Sequence, residues 1–298
     1  MNWQFSESSL ATMGKLNRGS LTKSFVPDTD IDWEESTTDE EYLALYQGWS
    51  LFYDSPYERY FDDEKRVDFA KYQQANLMMF SALAERYAIP LLSELLDLDD
   101  APEFRDCVIF FIKEESYHYT MFLRAHDKII DSMPERKRLP QKAMKRTLRW
   151  FFRFLNLIPW RRLRIQTLFL FFSFVEKVTI EAHLECKNAL PRKSSFVRRI
   201  WELHAIDERR HLVFDELIME KSKMPRGFRW LPFAMMFPWA LLSSLCVNRN
   251  ELWSARQLGV PVRLWNLRGL MKKAKAPFKL RLFALMRSLI GGSMTKSA

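Results

Sequence analysis

Apolar residues recur every three to four positions along four stretches of this chain, the interval at which an α-helix returns one face to the same side. The first runs from about residue 64 to 88 and stops at Pro90. The second opens with Pro102, whose fixed φ and missing N–H suit a first helical turn, and continues to about Met133, before Pro134. The third spans about Trp160 to Ala189, before Pro191. The fourth follows the serine pair Ser194-Ser195, which can cap a helix, and reaches about Lys223, before Pro225. At 1.5 Å per residue each extends roughly 36–48 Å. No stretch between them alternates convincingly as a half-buried strand does, so the pattern predicts an all-α chain built on a four-helix bundle, with extra helices around it. Residues 1–40 are polar and lack a helical stripe; they are expected to form a loosely held arm with one short docking stretch near Phe25-Val26-Pro27. The expected division is an arm at 1–40, the bundle at 41–223, and a basic, aromatic-rich C-terminal helical extension at 224–298 packed on the bundle.

Composition supports a folded chain. The 298 residues are 48% hydrophobic and 28% charged, enough for a core that needs no disulfide or structural metal. Only 8 glycines argue against βαβ dinucleotide folds and turn-rich sandwiches. Cys107, Cys186 and Cys246 share no short spacing, so neither a disulfide framework nor a zinc knuckle is indicated, and all three are expected to be inert core residues. The first twenty residues lack the apolar run of a secretory signal, which makes a reducing cytoplasm the expected location.

Charge splits the chain. The net charge is +9, yet residues 221–298 hold 15 Lys and Arg against the single acid Glu251, which leaves the rest net acidic. Residues 136–164 hold eleven Lys and Arg and no acid, interleaved with Trp150, Phe151, Phe152, Phe154 and Trp160. Residues 230–247 (WLPFAMMFPWALLSSLCV) are uncharged over 18 positions but broken by Pro232 and Pro238, and more Lys/Arg with Trp and Leu follow, as in MKKAKAPFKLRLFALMRSLI. Two readings stay open for these segments: a solvated or dimer-forming face, and peripheral attachment at the inner face of a membrane, since Trp and Phe among Lys and Arg is the composition of interfacial helices. The apolar run is short for a span, and its prolines weaken one. Nucleic acid is not the expected partner, because no recognised binding module accompanies the basic residues.

The chemistry sits on the helices. Glu115-Ser116-Tyr117-His118 in the second and Glu208-Arg209-Arg210-His211 in the fourth are Glu-x-x-His steps, and positions i and i+3 share a helix face. A bundle that holds two metals near its axis needs such a step from two helices and one more Glu from each of the others. Glu85, flanked by Met78, Ala82 and Ile89, and Glu176, flanked by Leu168, Phe172 and Thr179, lie on apolar faces where a carboxylate needs a cation or a partner. Glu115 follows Glu85 by 30 residues and Glu208 follows Glu176 by 32, so both pairs return to one height in the bundle. Two Glu-x-x-His steps among five His arise by chance in about one sequence in ten at this composition; the matched intervals give the pattern its weight over exposed steps on solvated faces. His204 shares the stripe of Glu208 and His211 with Trp201 and Asp215, and beside a two-metal site it offers a third imidazole. Glu/His donors suit iron or manganese.

Asp207-Glu208-Arg209-Arg210-His211 resembles the Asp/Glu-Glu-x-Arg-His step of ferritin-like di-iron carboxylate proteins, and Glu114-Glu115-Ser116-Tyr117-His118 resembles its partner. With His204 added, the region of about 64–223 is similar to the p-aminobenzoate N-oxygenase (AurF-like) family, which has three His ligands where most relatives have two. The resemblance implies a ferritin-like bundle and an O₂-activating centre of two iron ions, with manganese as a substitute, that oxidises an amine to hydroxylamine and onward to nitroso or nitro. It implies Glu85, Glu115, His118, Glu176, His204, Glu208 and His211 as ligands; Glu181 rivals Glu176 but breaks the matched interval. Glu114 and Asp207, each just before a ligand Glu, are candidates to orient the histidines from behind.

Tyr117 and Tyr119 are off the ligand stripe and are expected to pack or meet solvent; His126 and Asp127 fall outside the site's height, and His183 is expected in the core or just behind the ligands. The run TLFLFFSFV (167–175) is mostly core, with some of it expected to wall a substrate pocket. The expected activity is a non-haem di-iron N-oxygenase, with a C-hydroxylase or desaturase of a lipophilic, membrane-delivered substrate as the alternative. Iron storage and a metal-free helical scaffold rank lower. Electrons are expected from an external reductase or ferredoxin-like donor, for which the basic surface suits an acidic partner, and a homodimer is the expected assembly.

Overall fold

The four apolar stretches are four long helices in a computed structural model of the chain, which describes residues 3–133, 141–190 and 195–263. Among the described residues the α-helices are α1 Glu7–Lys23, α2 Pro27–Asp30, α3 Asp39–Trp49, α4 Asp63–Ser93, α5 Pro102–Asp131, α6 Gln141–Leu157, α7 Arg161–Ala189, α8 Phe196–Lys221 and α9 Leu231–Gln257, and there is no strand. Short 3₁₀ turns stand at Glu58–Tyr60, Glu94–Asp97 and Arg226–Phe228. The long helices α4 with α5, and α7 with α8, pack as two pairs, and α5 faces α8 across the bundle. This is the ferritin-like four-helix core that the pattern implies.

Two apolar clusters fill the bundle from its ends. One gathers Tyr46, Trp49, Phe69, Phe122 and Trp201; the other gathers Phe104, Phe111, Phe151, Phe169 and Phe214. On α5 and α8 the two clusters leave a gap between them, at Glu114 to His118 and at His204 to His211, and that gap is the polar layer.

Helix ends follow local chemistry, with three departures. Pro90 does not stop α4, which continues to Ser93; the hydrogen bond lost by a proline falls in the last turn, where buried Leu91 and Leu92 still hold the helix to its neighbours. Ser195 takes the N-cap position of α8 but its side chain makes no cap bond. The Val197 N–H donates instead to Thr37 Oγ1 at 3.0 Å, so the cap comes from a distant loop. Pro232 and Pro238 do not break the apolar run: Pro232 sits in the first turn of α9 and Pro238 inside it.

The arm is where the expectation fails most clearly. Residues 7–23 form α1, capped by Ser6, whose hydroxyl accepts from the Ser9 N–H at 3.2 Å. The helix packs on α5 and α8 and buries Met13, Asn17 and Ser20. Asn17 donates to the Glu103 carbonyl at 2.9 Å. Its apolar contacts, Leu10, Met13 and Leu16, span only two turns before polar Asn17 and Ser20 take over, too short a stripe for periodicity to register. The docking stretch does dock: Phe25 and Pro27 are buried.

Helix α9 lies against α4, α6 and α7. Asn250 donates to the Asn76 side chain at 2.8 Å, and Asn76 donates to the Val247 carbonyl at 3.2 Å, tying α9 to the bundle. Pro134, residues 136–140, Pro191, Ser194 and the basic segment from residue 264 onward, MKKAKAPFKLRLFALMRSLI included, lie outside the described residues.

Candidate metal centre

Glu85 from α4, Glu115 and His118 from α5, Glu176 from α7, and His204, Glu208 and His211 from α8 are all buried within the bundle. His204 Nε2 stands 2.6 Å from Glu208 Oε1 and 3.5 Å from Glu85 Oε1. His118 Nδ1 is 3.5 Å from Glu208 Oε1 and 3.8 Å from Glu115 Oε2. His211 Nδ1 is 3.1 Å from Glu115 Oε1 and 3.4 Å from Glu208 Oε2. Donor atoms converge in two overlapping sets, Glu85, His118, His204 and Glu208 in one and Glu115, His118, Glu208 and His211 in the other, each with all its atoms within 4.8 Å of one another.

These atoms are crowded yet unsatisfied. Glu115 Oε2, His118 Nδ1, His204 Nε2, Glu208 Oε2 and His211 Nδ1 are buried without a hydrogen-bond partner. The His204–Glu208 approach, though short, lacks the alignment of a hydrogen bond. Buried carboxylates and imidazole lone pairs pointed at one another are costly unless cations sit between them. The donor set therefore fits a pair of metal ions.

The opposite edges of two imidazoles are fully engaged. His118 Nε2 donates to Asp207 Oδ2 at 3.2 Å, and His211 Nε2 donates to Glu114 Oε2 at 2.9 Å. An ionised carboxylate only accepts, so each Nε2 carries a proton and each Nδ1 faces the cluster, able to ligate once a cation displaces its own proton. Arg210 donates to Glu114 Oε1 at 2.6 Å and also to Asp207 Oδ1. Burial pushes the Glu114 carboxyl up, but His211 and Arg210 outweigh it and hold its pKa at about 2. Burial likewise opposes charge on His118, yet Asp207, Glu115 and Glu208 raise its pKa to about 10 in the metal-free chain. His204 is shifted the other way, downward, chiefly by burial, which favours a neutral ring.

Glu176 belongs to the same place by a different route. With Glu85, Glu115 and Glu208 it lines a void of about 20 Å³, closed on one side by Phe171, Phe172 and Val175. That is room for a molecule the size of water or O₂. The Phe-rich run of α7 thus supplies both core and wall. Glu176 also contacts Asp215, which in turn accepts from Ser173 Oγ at 2.9 Å. Burial pushes both acids well above the usual range; Asp215 adds to the rise at Glu176, whereas the hydrogen bonds with Ser173 and Glu176 oppose it at Asp215. Glu181 is half-buried and belongs to neither donor set nor the void.

Three participants go beyond the residues that the pattern singles out. Asp215 is visible only as a further acid on the His204–His211 stripe. Arg210 lies inside the resembling step but acts through two carboxylates. Phe25 carries no sequence cue toward the site, and its ring stacks on His118 at 5.9 Å. Leu16 and Ser20 of α1 line a small void with Glu114, Arg210 and His211. Elsewhere, Tyr117 and Tyr119 are half-buried, His183 is buried outside both donor sets, and His126 bonds its neighbour Asp127 at 2.9 Å. The cavity of about 1180 Å³ beside Arg86, His126, Arg146 and Arg249 contains none of the clustered side chains and is separate from the centre.

Comparisons with known proteins agree with this architecture. A solved R2-like ligand-binding oxidase, a mutant with an aerobically reconstituted Mn/Fe cofactor, superposes with a TM-score of 0.51 over 97% of this chain and 94% of its own, at 12% identity. At that identity the likeness is one of fold. An uncharacterized protein of Mycobacterium tuberculosis (strain CDC 1551 / Oshkosh) is 25% identical over 244 residues, covering 78% of this chain and 67% of that protein, and an uncharacterized protein of Mycobacterium bovis (strain ATCC BAA-935 / AF2122/97) matches to the same extent. Residues 7–237 match the family model described as p-aminobenzoate N-oxygenase AurF, a stretch that begins with α1 and takes in every clustered donor, and the chain belongs to that family.

Proposed function

We propose that this member of the family is a di-iron oxygenase that places oxygen on the nitrogen of an aryl or other small amine. Glu85, Glu115, His118, Glu176, His204, Glu208 and His211 would hold two metal ions, iron in the working enzyme and manganese as a substitute. A pair of iron ions bound there supplies electrons that reduce O₂. Each amine-to-hydroxylamine turnover uses one O₂, two electrons and two protons: one oxygen atom enters the new N–OH group and the other leaves as water. The electrons come from an external reductase or ferredoxin-like donor.

The observation that carries this reading is His204. Its Nε2 stands among Glu85 and Glu208 with no hydrogen bond to satisfy it, and burial favours the neutral ring, so it adds a third imidazole to the two that the Glu-x-x-His steps supply. An extra neutral donor would enrich a bound metal in electron density, chemistry suited to oxygen transfer onto a nitrogen lone pair rather than attack on a C–H bond. Phe171, Phe172 and Val175 wall the apolar side of the small void that the carboxylates line, which limits the water that reaches them. Glu114 and Asp207 hold the outer N–H of His211 and His118, so the inner nitrogens stay aimed at the cluster.

The test is anaerobic loading with Fe(II), followed by isotopically labelled O₂ and p-aminobenzoate or another aryl amine as probe. One labelled oxygen on nitrogen, lost in His204→Ala, supports the reading. Oxygen on carbon, with the amine untouched and a fatty acid hydroxylated, overturns it.

A further inference from the structure

The outward side of α9 is apolar as far as Leu245. Ala234, Phe237, Pro238, Leu241, Leu242 and Leu245 are exposed, and their spacing of three, four and seven places them on a single stripe. Trp230 continues the stripe one turn before it, 62% exposed, and exposed Arg249 ends it one turn after Leu245. From Trp230 to Arg249 the stripe is roughly 28 Å long at 1.5 Å per residue. Only 22% of the most apolar 18-residue window of this helix is buried, although by length and composition it could cross a membrane.

The opposite side of α9 rules out a span. Met236, Ala240, Ser243, Asn248, Asn250 and Glu251 are buried against the bundle, and Asn250 is tied to Asn76. A helix committed along one side to protein can only lie flat at an interface. We propose that this stripe is a docking face for the surface of an anionic lipid bilayer, with α9 parallel to the membrane plane and its apolar residues among the acyl chains.

Charge selects that occupant. Arg226 and Arg229 precede Trp230 and are exposed. Helix α6 runs antiparallel beside α9, as the Thr147–Cys246 contact at 3.3 Å and the Phe154–Trp239 pair at 5.8 Å show, and its outward positions include Lys145, Arg146, Arg149 and Arg153, all exposed. Trp160, after the end of α6, meets Phe228 at 6.2 Å, so the two helices share one aromatic corner where both rings are about half exposed. No acid lies between residues 136 and 164 or between 221 and 250. Apolar stripe, tryptophans at its edge and cations around it match the acyl chains, interface and phosphate layer of a bilayer in order. A second copy of the chain would bring the same cations face to face.

The experiment is sedimentation of the full-length, iron-loaded protein with vesicles of phosphatidylcholine alone or mixed with phosphatidylglycerol. The expected result is binding to the mixed vesicles, weaker at high salt and roughly tenfold or more weaker in Leu241→Glu/Leu242→Glu. Because both leucines are exposed, that variant keeps its metal content and helical signal. Arg226→Glu/Arg229→Glu reduces binding to the mixed vesicles alone. Protein left in the supernatant at low salt overturns the proposal, and so does binding that survives the leucine substitutions. A dimer that the same substitutions dissolve, without vesicle binding, assigns the face to a second copy and overturns it too.

Discussion

Glu114 and Asp207 each hold the histidine that belongs to the other's helix. Glu114 on α5 accepts from His211 on α8, Asp207 on α8 accepts from His118 on α5, and the Arg210 guanidinium joins both carboxylates. Crossing the partners in this way ties α5 to α8 at the height of the site. Neither helix can slide along the other without breaking both bonds, so the imidazoles, 5.7 Å apart between ring centres, are set from outside.

Removing either carboxylate should therefore loosen the metals rather than the fold. Glu114→Ala and Asp207→Ala are each expected to lower Fe(II) affinity by roughly 10- to 100-fold, the usual cost of losing a group that orients a ligating His. Arg210 keeps one of its two partners in each variant, which limits the loss of stability. Metal titration followed by circular dichroism checks both halves. Unchanged affinity in both variants would mean that the crossed bonds do not position the donors.

Metal removal should be visible as thermal destabilisation. The metal-free site keeps several buried donors without partners, and a cation that binds only the folded chain stabilises it by mass action. At free metal about a hundred times Kd the gain is about 2.7 kcal/mol, which for a chain of this size corresponds to a rise in Tm of a few degrees. Scanning calorimetry after chelation, and again after adding back Fe(II) or Mn(II), measures it. Mg(II), a poor match for imidazole, should restore none of it.

What the sequence made legible follows from which interactions are periodic. Four long apolar stripes and two Glu-x-x-His steps repeat at helical spacing, and they locate the bundle and the two helices that carry its histidines. Helix α1 and Phe25 leave no such trace. The first packs through Ser20 and through Asn17, whose side chain bonds the Glu103 carbonyl far along the chain, and the second is one ring laid over His118. The cap of α8 is similar: Ser195 has the right residue type, but the oxygen that accepts the Val197 N–H belongs to Thr37. Contacts between segments far apart in the chain are set by the fold as a whole and appear in no local window.

Two glycines in α1 offer a matched comparison. A glycine inside a helix usually costs about 0.5–1 kcal/mol relative to alanine. A Cβ on Gly14 would meet nothing closer than 3.9 Å, so Gly14→Ala should recover that amount. A Cβ on Gly19 would stand 3.1 Å from Arg210 Cδ, and Arg210 cannot yield while both carboxylates hold it. Gly19→Ala should therefore gain nothing or lose stability, while Gly19→Ala combined with Arg210→Ala should regain the benefit relative to Arg210→Ala alone. Denaturant melts of the four variants and the parent decide it. Equal gains for both single alanines would show that α1 does not press on Arg210.

Glu176 and Glu181 lie five residues apart on α7, and the structure gives them different surroundings. Glu176 faces the void shared with Glu85, Glu115 and Glu208, whereas Glu181 lies outside both donor sets. Burial and Asp215 already raise the Glu176 carboxyl well above its usual range in the metal-free chain, so a neutral amide of the same shape costs the fold little there. The loss in Glu176→Gln should appear only when metal is present: less than two metals retained per chain after desalting, and O₂ consumption reduced by roughly a hundredfold, on the order seen when one catalytic donor is lost. Glu181→Gln should keep both metals and turn over within about twofold of the parent, as a substitution away from the reacting atoms does. Metal analysis and oxygen-electrode rates on the two variants separate the assignments. If Glu181→Gln loses metal while Glu176→Gln keeps it, α7 contributes its carboxylate from one turn further along.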